Sequence, residues 1–484
     1  MAKIFCAILR TQKYPDQWKV EHGVQIPKSS NSPENLDELR IISKTNFMSK
    51  IFEGFIVDWL LPTISPYLDI SQFGGFKGLS TTHYLIKFLD YIHSILDQNQ
   101  PKAAMAALID LSKAFNRVDH NLIIEDLFLM KCPSFLLRFI FSYLSGRILI
   151  VNYHGAAASP KPLPGGAPAG CYLGGLIFVI KFNGALMRPK IARPIQNSDV
   201  FADFGHWKYF DDVSVASSVN LKQDLQTETC QRPKPLNFDE KSELSLPKEK
   251  NRLNDCLKMF EDFTIQQKLK INQEKTKLML FNMSQKYRFP LELGFSDGVH
   301  LEVIESAKIL GVVISNTLKW SLNTDYIITK AMKRLWTLRK LQKCGLSQQF
   351  ILEVYKKEIR SILEYNVPVW NEGLTQKDSQ KIEKIQKIVL KMLLKSNYSS
   401  YTEACNHYKI EKLHSRRQKL CLNFAKKEFK KPKNGIVKKI HSKSKRISNK
   451  RIVLEPKART TRYYKSAIPY MAILLNHFNI RDSQ

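Results

Sequence analysis

The chain carries the stretch Tyr209-Phe210-Asp211-Asp212-Val213, in which two adjacent carboxylates lie between apolar residues. On its own, an Asp-Asp pair is most often an exposed turn. Here the apolar neighbours favour a strand on each side, so we predict a tight hairpin that presents both carboxylates to one site. Because adjacent acids repel each other, they are tolerated best where divalent cations neutralise them.

A third carboxylate, Asp110, closes another apolar segment. Residues 103–110 are predicted to form a strand, and residues 112–129 a helix. Oxygen ligands are what Mg²⁺ selects, and two ions about 3.5–4 Å apart can drive an in-line displacement. We therefore predict a site for two Mg²⁺ ions, with Mn²⁺ as an alternative, formed by Asp110, Asp211 and Asp212.

The charge balance predicts a nucleic-acid partner. Among 484 residues there are 75 Lys and Arg against 44 Asp and Glu, a net charge of +31. Such a surplus repels itself in a compact fold unless a polyanion lies against it. The 44% apolar content is that of a globular protein and excludes a wholly disordered chain.

The cysteines and the apolar runs indicate the cellular setting. Eight scattered cysteines show no metal-ligand spacing and no dense disulfide framework, which favours a reducing intracellular location, in the nucleus or the cytoplasm. No run reaches the roughly 18 apolar residues that a membrane helix needs, so we expect no membrane partner.

Ten short motifs, taken together and in order, resemble the reverse transcriptases of non-LTR (LINE-type, jockey-like) retrotransposons. Each motif is weak alone, but their joint order is specific. They are Tyr14–Lys19, Ile26–Lys28, Leu39–Ser43, Gln72–Gly78, Ser80–His83, Ser112–Asn116, Tyr209–Asp212, Asn272–Lys277, Leu310–Val312 and Leu363–Tyr365.

The resemblance implies an α+β right-hand polymerase. Its expected parts are fingers at 1–100, a palm with finger insertions at 101–290, the palm end with a helical thumb at 291–398, and a basic C-terminal extension at 399–484. The implied activity is RNA-directed DNA synthesis, which extends a 3′-hydroxyl DNA primer with dNTPs on an RNA template. Other products of the same element are expected partners, and the family's endonuclease is expected to be missing ahead of the fingers.

The resemblance also assigns roles to residues. Asp110 and Asp211 would bind both metals, with Asp212 in support. Lys275 would protonate the leaving pyrophosphate, a task that Lys277 could take instead. The nucleotide-binding residues implied by the motifs are Phe115 as a steric gate against a 2′-hydroxyl, Lys28 and Arg40 on the triphosphate, and Ala169, Gly170 and Tyr209 at the substrate.

One motif departs from the family pattern. The stretch Gly166–Gly174 has Ala169 where relatives have glutamine, and Cys171 where they have a hydroxyl residue. An amide can donate and accept hydrogen bonds, whereas a methyl group does neither. This departure leaves open a second reading, a catalytically decayed or repurposed nucleic-acid-binding remnant.

Helical periodicity marks further elements. Helices are predicted at 47–61, 250–270, 325–343 and 379–395, and a short buried strand at 309–314. The helix at 325–343 is amphipathic, with a Lys/Arg side suited to primer-template phosphates. The basic run from Lys426 to Arg462 is either an RNA grip, with Tyr463 and Tyr464 as stacking surfaces, or a solvated and partly disordered tail.

Overall fold

The computed structural model describes residues 1–27, 39–99, 102–153, 156–168, 170–186, 204–220, 252–283, 293–431, 436–437 and 453–481. The strands are β1 (Val20–Pro27), β2 (Leu39–Lys44), β3 (Lys102–Ile109), β4 (Arg147–Tyr153), β5 (Ala156–Ala157), β6 (Lys161–Leu163), β7 (Gly205–Tyr209), β8 (Asp212–Asn220), β9 (Lys277–Phe281), β10 (Glu302–Ile304), β11 (Ser306–Ile309) and β12 (Val312–Ser315).

Helices precede, separate and follow these strands. They are α1 (Ala2–Thr11), α2 (Phe47–Ile64), α3 (Thr81–Leu96), α4 (His120–Leu129), α5 (Ser134–Leu144), α6 (Tyr172–Lys181), α7 (Arg252–Gln266), α8 (Ser321–Lys343), α9 (Gln348–Val354), α10 (Ser361–Glu364), α11 (Val367–Trp370), α12 (Gln376–Leu394), α13 (Tyr401–His407), α14 (Leu413–Lys430), α15 (Thr461–Tyr464) and α16 (Ala467–Arg481). None of the described helices is both long and apolar enough to cross a membrane.

Two sheets organise the N-terminal two thirds of the chain. The N-terminal sheet has the order β2-β1-β4-β5, and β6 also pairs with β4. The central sheet has the order β10-β9-β3-β8-β7, in which β3 runs antiparallel to both β8 and β9. A separate hairpin of β11 and β12 leads into the C-terminal helices.

The middle strand β3 divides the core. Ala104 and Ala106 face a cluster formed with α3 and the C-terminal helices, whereas Ala103, Met105 and Ala107 face a second cluster formed with α2 and α4 to α7. This alternation follows from the two-residue period of a strand. Covered on both faces, the strand reads as a continuous apolar run, as the sequence predicts.

The predicted helices at 47–61, 250–270, 325–343 and 379–395 are confirmed as α2, α7, α8 and α12, within a few residues. Two other predictions are corrected. The helix expected at 112–129 is broken, because Lys113 has φ 50° and starts a 3₁₀ turn, and Asp119 caps a new helix, α4. The strand expected at 309–314 is a hairpin, because Leu310 and Gly311 both have positive φ.

The described end of the basic C-terminal extension is packed helix. The carboxylate of Asp97, after α3, accepts from the N–H groups of Arg459 and Thr460 at 2.8 and 2.7 Å. Tyr463 stacks on His93, with ring centroids 6.0 Å apart. One face of the partly exposed Tyr463 ring thus lies against His93, and the role of Tyr463 as a stacking surface for RNA stays a prediction. Tyr464 is exposed, as predicted.

Candidate active site

The two adjacent carboxylates lie on a tight hairpin, as the sequence predicts. Strands β7 and β8 are antiparallel, Tyr209 pairs with Asp212, and residues 210 and 211 form the turn between them. Phe210 has φ 55°, in the left-handed region that the tightest hairpin turns use. The turn carries Asp211, and the first residue of β8 is Asp212.

Asp110 lies beside this hairpin because β3 is the neighbour of β8. The antiparallel register pairs Ile109 with Val213, so Asp110, the next residue along the chain, lies next to Asp212. The charges of Asp211 and Asp110 both act on the Asp212 carboxyl. The structure therefore brings the three predicted carboxylates to one end of the central sheet.

The site concentrates negative charge. Desolvation by the surrounding protein, followed by the charges of Asp211 and Asp110, raises the pKa of Asp212 to about 6, although solvent reaches its side chain. Desolvation also raises the pKa of Asp110, and the charge of Lys275 opposes that rise. Ionisation of both carboxyls would become easier beside a bound cation.

The donor set fits a hard divalent cation, because carboxylate oxygens are the ligands that Mg²⁺ and Mn²⁺ prefer. Within the described ranges, no group of three or more His, Cys, Asp or Glu side chains forms a ready metal cage. Mg²⁺ sites that act on phosphates commonly use one or two carboxylates and complete the shell with water and substrate oxygens. The three aspartates suit an open site of that kind.

A turn between α7 and β9 brings Lys275 to the site. The N–H of Lys275 donates to Oδ1 of Asn272 at 3.3 Å. The same turn holds Asp110, whose N–H donates to the Thr276 hydroxyl at 3.3 Å and whose carbonyl accepts from the N–H of Asn272 at 2.8 Å. Lys277, the alternative general acid, instead forms an ion pair with a glutamate of β10. This arrangement favours Lys275.

Phe115 lies on the 3₁₀ turn that follows Asp110. Its ring stacks on that of Phe178 in α6, with centroids 4.3 Å apart and planes 15° apart. The centroid of Phe210 lies 6.2 Å away on the hairpin turn. The predicted gate therefore lies between α6 and the turn that carries Asp211, while its role in excluding ribose stays a prediction.

The Gly-rich loop before α6 packs on the Phe115 segment. The N–H of Ala167 donates to the carbonyl of Phe115 at 2.9 Å. Gly166 and Gly170 have φ values of +95° and +94°, a backbone conformation that residues with a side chain rarely adopt. The backbone conformation therefore favours glycine at both positions. Ala169 lies outside the described residues, so its predicted place at the nucleotide stays untested.

Cys171 closes this loop. Its thiol donates to the carbonyl of Pro168 at 3.1 Å and lies 3.1 Å from the hydroxyl of Tyr143. Burial raises the pKa of the Cys171 thiol to about 12, so the group stays protonated at neutral pH. The thiol therefore keeps hydrogen bonds to the loop at the position where relatives carry a hydroxyl.

Of the remaining predicted substrate residues, Tyr209 and Arg40 lie in the two sheets, and Lys28 lies outside the described residues. Tyr209 ends β7 and is partly buried. Arg40 lies in β2 opposite Ile26, but its side chain is not among those described. The proposed contacts of Lys28 and Arg40 with a triphosphate thus stay predictions.

A buried charge cluster under the hairpin was missed from the sequence. Nζ of Lys208 lies 2.6 Å from the Asp69 carboxylate, and Nε2 of His206 lies 2.9 Å from the same oxygen. Burial opposes ionisation of Asp69, but the charge of Lys208 and the hydrogen bond from His206 prevail and lower its pKa. The available signal was a histidine and a lysine, His206 and Lys208, on the same side of a short strand next to the carboxylates.

Comparison with known proteins agrees with this geometry. A family model described as reverse transcriptase (RNA-dependent DNA polymerase) matches residues 26–314. The probable RNA-directed DNA polymerase from transposon BS of Drosophila melanogaster is 24% identical over 380 residues, which cover 76% of this chain and 38% of that protein. Its counterpart from the X-element of the same organism is 24% identical over 399 residues, covering 81% of this chain and 39% of that protein.

The chain spans about two fifths of the length of these two relatives. The RNA-directed DNA polymerase from the Drosophila melanogaster mobile element jockey is 27% identical over 175 residues, covering 35% of this chain and 18% of that protein. Among solved structures, telomerase from Candida tropicalis with a TWJ fragment of telomeric RNA is 11% identical, with a TM-score of 0.41, and the match covers 88% of this chain and 60% of that one.

The family model covers more than half of the chain, and its range includes the three aspartates and Phe115. The curated relatives are polymerases of mobile elements, as the ordered motifs predict. The α+β architecture around the central sheet agrees with the same assignment. The chain therefore belongs to the reverse transcriptase (RNA-dependent DNA polymerase) family of non-LTR retrotransposons and has the right-hand polymerase fold of that family.

Proposed function

We propose that this chain is an active RNA-directed DNA polymerase that extends the 3′-hydroxyl of a DNA primer with dNTPs. The observation that carries the proposal is the convergence of Asp110, from the end of β3, with Asp211 and Asp212 of the hairpin. The pKa of Asp212 is raised by desolvation and by the charges of Asp211 and Asp110, and desolvation also raises the pKa of Asp110, so the ionised cluster is costly in a protein without a cationic ligand. Their retention together with the gate residue favours catalysis over mere binding.

Each residue has a task in the proposed reaction. Asp110 and Asp211 hold two divalent ions, and Asp212 supports them. When bound, Mg²⁺ or Mn²⁺ would supply activation of the 3′-hydroxyl and stabilisation of the leaving pyrophosphate. Lys275, beside Asp110, donates a proton to a pyrophosphate oxygen, and Phe115 excludes nucleotides that carry a 2′-hydroxyl.

The template and primer are held by basic surfaces. The buried side of α8 includes Ala331, Leu335 and Leu338, and its opposite side exposes lysines and arginines. Each phosphate that they neutralise would release counterions, so affinity should fall steeply with salt. We place the domain borders where the sequence predicts them, at 1–100, 101–290, 291–398 and 399–484. An intracellular location, nuclear or cytoplasmic, would supply the RNA and the dNTPs.

The second candidate is a remnant that binds nucleic acid without turnover, and the observation behind it is Ala169. The loop around this residue nevertheless keeps two hydrogen bonds. The thiol of Cys171 donates to the carbonyl of Pro168, and the N–H of Ala167 donates to the carbonyl of Phe115. A missing amide at one position weakens nucleotide positioning but leaves the carboxylates intact. We therefore favour the enzyme.

Primer extension separates the two candidates. Purified wild type and the variant Ala169→Gln are given an RNA template, a labelled DNA primer, dNTPs and Mg²⁺, and template binding is measured in parallel by fluorescence anisotropy. We expect extension by wild type and faster extension by Ala169→Gln. Tight binding with no extension by wild type would show the remnant, and rescue by the glutamine would locate the defect at residue 169.

A further inference from the structure

The segment before α3 forms a single parallel β-bridge with β7, the edge strand of the central sheet. The N–H of Phe73 donates to the carbonyl of Lys208 at 2.8 Å, and the N–H of Lys208 donates to the carbonyl of Ser71 at 2.9 Å. Gln72 thus lies opposite Lys208 in β7, three residues before Asp211. This pairing joins parts of the chain that are far apart in sequence.

The side chain of Gln72 reaches the turn of the carboxylate hairpin. Its Oε1 accepts hydrogen bonds from the N–H of Phe210 at 3.2 Å and from the N–H of Gly74 at 2.9 Å. Gln72 is only 3% exposed, so water does not readily replace these bonds. The turn also holds Phe210 at φ 55°, a conformation that L-residues avoid unless their surroundings enforce it.

Gly74 permits this close approach. A Cβ at position 74 would lie 2.8 Å from both the backbone nitrogen and Cδ2 of Phe210. At Gly75, which has φ +80°, a Cβ would lie 3.4 Å from the Phe210 ring. The two glycines therefore let the segment pack closely against Phe210, and any side chain at position 74 would displace the hairpin turn.

Buried polar contacts hold the other end of the segment, at Asp69. The Asp69 carboxylate lies 2.6 Å from Nζ of Lys208 and 2.9 Å from Nε2 of His206, and all three side chains are buried. Nζ of Lys208 also donates to the carbonyl of Ala185 at 2.8 Å. The stretch from Asp69 to Gly74 is thereby fixed to β7 along its whole length, which leaves Gln72 little freedom to move.

We propose that Gln72 is a positioning residue for the metal site. By holding the amide of Phe210, it fixes the turn that carries Asp211 and so sets how well the carboxylates bind divalent ions. The link to catalysis rests on the proposed polymerase function, whereas the hold on the turn does not.

Hydrogen exchange tests the hold on the turn directly. The variant Gln72→Met has nearly the same size but lacks an acceptor, and Gln72→Glu keeps one. In Gln72→Met we expect the Phe210 amide to exchange on the order of 10-fold faster than in wild type, because a buried hydrogen bond is lost. Gln72→Glu should restore slow exchange, and amides of β3 should be unaffected in both variants.

An unchanged Phe210 amide in Gln72→Met, or equal acceleration throughout the central sheet, would overturn the proposal. If Gln72→Met does not fold, hydrogen exchange in wild type alone still tests the proposal. Fast exchange of the Phe210 amide in wild type would contradict the hydrogen bond to Gln72. These measurements need no substrate. They therefore stand even if wild type shows no extension, an outcome that would count only against the proposed polymerase function.

The Mg²⁺ dependence of extension provides the second readout. In Gln72→Met we expect the half-saturating Mg²⁺ concentration to rise several-fold, with little change in the KM for primer-template, and Gln72→Glu to recover most of the loss. Ile382→Val, a core change in α12 far along the chain from the site, serves as the control for general destabilisation and should leave the half-saturating concentration unchanged. An unaltered Mg²⁺ requirement in Gln72→Met would contradict the proposal.

Discussion

The ring of Phe115 lies flat against the ring of Phe178, with centroids 4.3 Å apart and planes 15° apart. The stack continues to Phe182, whose centroid lies 5.8 Å from that of Phe178 at an interplanar angle of 17°. Phe178 and Phe182 are fully buried. The proposed gate therefore has a rigid aromatic backing, and its position is fixed by the core rather than by solvent-exposed loops.

Shortening the gate should admit ribonucleotides. In Phe115→Val the lost ring leaves room for a 2′-hydroxyl, so the ratio of kcat/KM for dCTP over rCTP should fall by about 10-fold or more. Single-nucleotide extension with each substrate measures it, and Phe115→Tyr, which keeps the ring, is the matched control. Unchanged discrimination in Phe115→Val would remove the steric role from this residue.

Weakening the backing should act on the gate indirectly. Phe178→Leu removes the stacked ring and leaves a small cavity, which we expect to cost about 1–3 kcal/mol of folding free energy. The freed Phe115 ring can then tilt, so discrimination against rCTP should drop less than in Phe115→Val. Chemical denaturation and the same extension assay check both effects. Full discrimination in a folded Phe178→Leu variant would show that the stack does not position the gate.

Local patterns in the sequence predicted the carboxylates and the main helices, because hydrophobic period and residue chemistry are local properties. They did not predict which side of α2 is buried. Both sides are apolar, and the structure buries Phe52 and Ile56 while it leaves Phe55 and Trp59 about half exposed. The choice depends on packing against α6, which the local sequence does not contain.

Backbone conformation and long-range pairing account for the other differences. The turn at Leu310 and Gly311 splits a short apolar run that period alone assigns to one strand. The hydrogen bond from the N–H of Phe210 to Gln72 joins residues more than a hundred positions apart. The sequence shows that Gln72 belongs to a motif, but it does not show which residue Gln72 contacts. The packing of Tyr463 on His93 is of the same kind.

Stability should depend on pH through Asp212. Its pKa in the folded chain is raised to about 6, first by desolvation and then by neighbouring carboxylates, so this group's contribution is fully present below about pH 4 and is lost as pH rises through 6. At pH 8 without metal, Asp212→Asn should be more stable than wild type by about 1 kcal/mol after solvent screening.

Thermal unfolding at pH 5 and pH 8 checks this expectation. The gain of Asp212→Asn over wild type should be larger at pH 8 than at pH 5. Added Mg²⁺ should raise the Tm of wild type at pH 8, since a ligand that binds only the folded state stabilises it. An equal gain in Tm at both pH values would show that the pKa of the Asp212 carboxyl is not raised in the folded chain.

Removing Glu428 should loosen the C-terminal helices from the core. This buried carboxylate on α14 lies 2.9 Å from Nε2 of His83 in α3 and 2.6 Å from Nζ of Lys431. Glu428→Ala removes the acceptor of His83 and the ion-pair partner of Lys431, although Nζ of Lys431 still donates to the carbonyl of Gly78 at 3.1 Å. The loss should cost about 3–5 kcal/mol of unfolding free energy in urea. Lys419→Ala, which removes an exposed ion pair with Glu411, should cost about 1 kcal/mol or less. Similar losses in the two variants would show that the buried contacts of Glu428 do not hold the C-terminal helices to α3.

The central claim, that three carboxylates form the metal site of a DNA polymerase, is tested most directly by the single-turnover rate of dNMP addition to a DNA primer on an RNA template. Asp110→Asn and Asp211→Asn should lower that rate by at least about 1,000-fold while primer-template binding is retained, because each removes a proposed metal ligand. Asp58→Asn, an exposed aspartate on α2, should extend like wild type. Extension by Asp211→Asn at the wild-type rate would contradict the account.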